Sequence, residues 1–130
     1  MQDILQDIKS PTVKNIILDT DTYNEIDDQF ALAYAMLSPE RVKLLSVNAA
    51  PFLNSRSTSA ADGMMKSYNE IQRIMHLVDP NANIPYYKGS ESFLADKKTP
   101  VESEAVENII NTVMNSDERI YIVAIGAITN

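Results

Sequence analysis

The chain has 130 residues, 45% of them hydrophobic and 22% charged, with a formal net charge of −7. That profile is globular and not disordered, and the length suits one domain or part of one. It contains no cysteine and a single histidine, His76, which excludes disulfides, thiolate metal sites and a multi-histidine zinc site, and the negative balance argues against a nucleic-acid partner.

Residues 1–12 read as an acidic lead-in, helical or irregular, that lacks the basic and apolar regions of a signal peptide. No apolar stretch reaches the length of a membrane span, so the expected setting is soluble and cytoplasmic, with no membrane partner. Val13 to Leu18 predicts a buried strand, and Asp27 to Leu37 a helix stopped by Ser38-Pro39. Val42 to Ala49 predicts a second strand and Pro51 to Thr58 a polar loop. Ala60 to Val78 predicts a long helix, its Met64, Tyr68, Ile71, Met75 and Val78 recurring at helical spacing as core residues. Ile84 to Lys88 predicts a short strand. Thr99-Pro100-Val101-Glu102 has the form of a capping box with proline at the first helical position, opening a helix with Val106, Ile109, Ile110 and Val113 on one face. Ile120 to Ile125 predicts a last apolar strand. Strands alternating with helices imply right-handed βαβ units, hence an α/β fold with a Rossmann-like, mostly parallel sheet and flanking helices over residues 13–130. The chain reaches Asn130 directly after a strand, so the expectation is a truncated domain, the first half of a larger one, completed by another chain or by self-association.

The stretch Asp19-Thr20-Asp21-Thr22-Tyr23-Asn24-Glu25-Ile26-Asp27-Asp28 places five acidic residues on a strand-to-helix turn. In open α/β sheets such a turn lies at the carboxyl ends of the strands, where ligands bind. Clustered carboxylates repel one another unless a cation or shared protons relieve the charge. A helix N-terminus contributes only about 0.3–1 kcal/mol per charge, so a hard cation with oxygen ligands is the better account. The plain alternative is a solvated turn with Asp27 as N-cap, which needs one acid and not five. Outside this stretch, His76 reads as a helix-end histidine and Lys97-Lys98 as a solvated pair. The Asn54–Ser59 loop either lines the pocket, with Arg56 opposite the acids, or is a turn with Ser57 or Ser59 as N-cap. Tyr23 either stacks on a ligand or packs over its own turn.

Ile17-Leu18-Asp19-Thr20-Asp21, followed by Asp27-Asp28-Gln29-Phe30-Ala31-Leu32, resembles the N-terminal signature of the inosine–uridine-preferring nucleoside hydrolases. Ile122-Val123-Ala124-Ile125-Gly126-Ala127-Ile128-Thr129-Asn130 is similar to that family's strand followed by Thr-Gly-Pro-Leu-Thr-Asn. The likeness spans residues 13–130 but only about half of a typical member. It implies a calcium-dependent N-ribohydrolase that splits ribonucleosides into ribose and free base. By this resemblance Asp21 is a calcium ligand and the general base, Asp28 a second calcium ligand, and Ile125 a ligand through its carbonyl. Asp27 and Asn54 then bind the ribose, with Asn48 the alternative to Asn54, and Asp19 supports the loop from behind. Two features depart from the pattern. Five residues separate Asp21 from Asp27 where the family commonly has three, with Thr22-Tyr23-Asn24-Glu25 in place of Pro-Gly, a longer loop found in one branch. The family's mid-chain His-Gly motif is absent, and its distal calcium ligand falls beyond Asn130. A haloacid-dehalogenase-like phosphatase also begins with a strand and Asp-x-Asp, but its usual threonine position holds Tyr23 and it has no need of Asp27-Asp28. A non-catalytic fragment or subunit is the third reading.

Overall fold

The structure, a computed structural model, describes residues 2–130. Its elements are α1 (Gln2–Lys9), β1 (Lys14–Thr20), α2 (Ile26–Met36), β2 (Val42–Ala49), α3 (Ala60–Val78), β3 (Tyr86–Tyr87), α4 (Glu104–Met114) and β4 (Ile120–Ala124). The four strands form one parallel sheet in the order β3-β2-β1-β4, a small Rossmann-like α/β architecture. Among the described residues no helix is long and apolar enough to cross a membrane.

Alternation along the strands decides which layer each side chain enters. Leu18, Val47 and Ala49 face α2 and α3, where they pack with Leu32, Met64, Ile71, Ile74 and Met75. The methionines at helical spacing are thus core residues. The opposite face carries Ser46 and Asn48, and Asn108 of α4 reaches both, at 2.7 and 3.4 Å. An irregularity opposite Ile16 and Ile17 pairs them with Leu44 and Ser46, so Leu45 is the extra residue and the two faces stay in phase beyond it. Helix α3 lies close on the loop after β2. A Cβ built on Gly63 would sit 2.1 Å from the Phe52 carbonyl oxygen, so only glycine permits that approach. Helix α1 is held by polar contacts, with Asp7 taking Lys14, Arg119 and the Tyr121 hydroxyl.

Several predicted boundaries move for identifiable reasons. β1 runs on through Asp19 and Thr20, because these residues still find partners in Asn48, Ala49 and Ala124. β3 shrinks to two residues. The Pro85 carbonyl accepts from Val47, but proline has no N–H to give, and the Lys88 N–H turns away to the Glu104 carboxylate at 3.3 Å. The predicted capping box does not form. Asp96 takes both the Thr99 amide, at 2.8 Å, and the Thr99 hydroxyl, at 3.0 Å, so that side chain is spent on its own turn. Helix α4 starts later, with Ser103 as N-cap accepting from the Val106 amide at 3.2 Å. Of the two serines considered for α3, Ser59 is the cap, and Ser57 instead donates to the Phe52 carbonyl.

Candidate functional site

The site lies at the carboxyl ends of β1 and β4, where the chain leaves β1 for α2. Asp19 is in register with Asn48 on one side and Ala124 on the other. Its carboxylate is buried and accepts a hydrogen bond from the Asn130 side-chain amide at 3.1 Å. Asn130 also donates to the Ala49 carbonyl and accepts from the Ser90 amide and hydroxyl, tying three segments together behind the acidic turn. Burial pushes the Asp19 carboxyl up to about 6, opposed by the Asn130 hydrogen bond.

Asp21 follows the strand and is 7% exposed. Asn24 donates to its carboxylate at 3.0 Å. Burial raises the Asp21 pKa, and the charges of Glu25 and Asp27 add to the rise. Asp28 belongs to the first turn of α2, one turn on, and is also buried. The Thr20 hydroxyl donates to it at 2.7 Å. Burial pushes Asp28 up to about 6, and Asp21, Asp27 and Glu25 push in the same direction. Asp27 itself is exposed. The extended residue before α2 is Glu25, whose side chain makes no capping bond, so Asp27 is not the N-cap. Among the described residues no ion pair reaches any acid of this stretch.

Ile125 lies one residue past β4, its N–H donating to the Asp19 carbonyl at 2.9 Å. Gly126 presses on Asp21. A Cβ there would meet the Asp21 nitrogen at 2.9 Å and its carboxylate Oδ1 at 3.1 Å. The structure therefore brings Gly126 against Asp21, and Asp28 near enough to Asp21 for their charges to interact. Three or more acidic or histidine side chains do not converge on one metal position among the described residues. The oxygens that could serve are the two carboxylates, joined, as the resemblance implies, by the Ile125 carbonyl. That set is hard and suits calcium in kind, though calcium takes about 6–8 oxygens and would need water or ligand oxygens for the rest.

Asn48 and Asn54 part company. Asn48 is fully buried on the α4 face, in register with Asp19, its Nδ2 unpartnered among the described residues. Asn54 is exposed on the acidic side and donates to Asn24 Oδ1 at 2.6 Å. Arg56 donates to the Asn24 carbonyl and not to a carboxylate. Tyr23 stacks on Phe52 with centroids 6.4 Å apart and remains 42% exposed. A cavity lined by Tyr23, Glu25, Ile26, Gln29 and Arg56 opens beside it. His76 is exposed in the last turn of α3, far along the chain from these groups. Sequence reasoning missed Asn24, Thr20, Ser90 and the role of Asn130. Their partners are distant in sequence, apart from the local Thr20–Asp28 and Asn24–Asp21 bonds.

Compared with protein-family models, curated proteins and solved structures, the chain gives no significant match to any of the three.

Proposed function

We propose that this chain carries part of the site of a calcium-dependent nucleoside N-ribohydrolase, as its resemblance to the inosine–uridine-preferring nucleoside hydrolases implies. The observation that carries this reading is the pair of buried, charge-coupled acids Asp21 and Asp28 with no cationic side chain on them, Asp21 lying against Gly126. Asp21, Asp28 and the Ile125 carbonyl would hold the ion. Calcium there would supply Lewis acidity toward water and sugar hydroxyls.

The chain's own groups do the rest. Burial raises the pKa of Asp21, which makes it a stronger base than an ordinary aspartate, able to take a proton from attacking water. Asp27, exposed at the first turn of α2, accepts from a ribose hydroxyl, and Asn54 orients the sugar from the facing loop. Water adds to the anomeric carbon as the N-glycosidic bond breaks, and the base leaves with the bonding pair. The clustered carboxylates stabilise the positive charge that develops on the sugar. A phosphatase would need Asp19 as an accessible nucleophile, and its carboxylate is buried against Asn130 instead.

Two carboxylates and one carbonyl offer at most about five oxygens against a calcium shell of about 6–8, so the isolated chain is expected to bind calcium weakly and to turn over slowly or not at all. The exposed apolar residues Ile122, Val123 and Ile125 support completion by self-association or by a second chain. Calorimetry on the wild type and on Asp28→Asn, with magnesium as control, tests the site. Weak calcium-selective binding that the substitution abolishes supports the reading. A folded chain that takes up no calcium at millimolar concentration overturns it.

A further inference from the structure

Asn24 belongs to the longer loop between Asp21 and Asp27, and all four of its polar groups are engaged. Its N–H donates to the Asp21 carbonyl at 2.6 Å and its Nδ2 to Asp21 Oδ2 at 3.0 Å. Its Oδ1 accepts from Asn54 Nδ2 at 2.6 Å, and its carbonyl accepts from the Arg56 guanidinium. The direction of this relay is set from the far end. The Arg56 N–H donates to Asn54 Oδ1 at 2.8 Å, which leaves Asn54 Nδ2 to face Asn24. Asn24 must then present its oxygen to Asn54 and its Nδ2 to Asp21. On the other side of Asp21, Oδ1 faces Gly126, where a Cβ would come within 3.1 Å. The Tyr23–Phe52 stack gives the two loops a second contact.

We propose that Asn24 is a positioning residue that couples the Asn54–Arg56 loop to Asp21, holding one carboxylate oxygen so that the other is presented to the Ile125–Gly126 segment. The consequence for metal binding rests on the hydrolase reading, whereas the coupling does not. The two loops then act as one body, and a group that engages Asn54 alters the aim of Asp21 through Asn24.

The test is a two-residue cycle on the full chain, read by amide NMR. Asn54→Ala is expected to displace the Asp21 and Gly126 amide resonances, and to lose that effect when Asn24→Ala is already present. Retained Ile17 and Val47 resonances show that the core is intact. Where Asn24→Ala fails to fold, Asn24→Asp keeps the acceptor for Asn54 but not the donor to Asp21, and Asn54→Ala should then leave Asp21 unmoved. An Asp21 resonance indifferent to Asn54→Ala, or displaced equally with and without Asn24, overturns the proposal. In parallel, calcium titration should show Asn54→Ala weakening affinity roughly tenfold in the wild-type background only, the scale expected when a group supporting a metal ligand is lost. Absence of calcium binding by the wild type would overturn the hydrolase reading and leave the resonance cycle to decide the coupling.

Discussion

Around β2 the side chains of Leu32, Val47, Met64 and Ile71 are fully buried or nearly so, whereas Ile122, Val123 and Ile125 along β4 keep 48%, 37% and 41% of their surface exposed. The first region is covered by two helices on one face and α4 on the other. Among the described residues the second pairs in the sheet only with β1, and α1 adds polar contacts to Arg119 and Tyr121. The candidate site straddles this seam, with Asp21 and Asp28 anchored on the packed side and Ile125–Gly126 supplied by the open one. A site assembled in this way has two carboxylates on a stiff frame and a segment that follows a strand held by the β1 ladder and by polar contacts of Arg119 and Tyr121 with α1.

The contrast can be broken most directly by truncation. Leu32→Ala should cost about 2–5 kcal/mol in urea unfolding, whereas Ile122→Ala should cost less than about 1 kcal/mol, its surface being half exposed already. Equal losses would mean that β4 is packed as firmly as β2.

A smaller effect is expected at the seam itself. The Asp19 pKa is raised from 3.8 to about 6 in the folded chain, so the folded state holds its proton more tightly than the unfolded state. Its stabilising contribution is present below the unfolded pKa and is lost as the pH rises through about 6. Asp19→Asn keeps an acceptor for Asn130 and removes the buried charge. It should raise stability at neutral pH by roughly 1–3 kcal/mol and have no such effect below the unfolded pKa. Denaturant midpoints of both proteins across that range give the answer, and a constant difference would show that burial does not govern this carboxyl.

The least effect is expected where α4 begins. Ser103→Ala should cost about 1 kcal/mol by losing the cap, and Thr99→Ala should leave α4 unchanged by circular dichroism and hydrogen exchange.

The packed region was the more legible in sequence. β2 and α3 have the bounds their apolar patterns predict, because their periodicity is long and their neighbours agree with it. The α4 start was misread because Thr99 and Glu102 have capping-box spacing, and nothing in that spacing reveals that Asp96 has already taken Thr99. The acidic turn was visible as a charge cluster, and in the structure Asp21 and Asp28 are both buried within it. The supports behind it were not visible. Asn130 reaches Asp19 from the far end of the chain, and Asn54 reaches Asn24 across thirty residues. A single sequence carries no record of such pairings.

The sheet order also bears on how the molecule forms. β1 is made first yet lies between β2 and β4, and Asp19 takes its place beside Ala124, more than a hundred residues later. During synthesis β1 can pair with β2 early, but its other edge stays open until β4 emerges. Contacts of such long sequence separation slow folding, because the connecting chain must be ordered before the pairing repays it. The acidic turn at the end of β1 is therefore made well before the strand that flanks it, and a nascent chain would carry an unpaired strand edge beside it until β4 emerges.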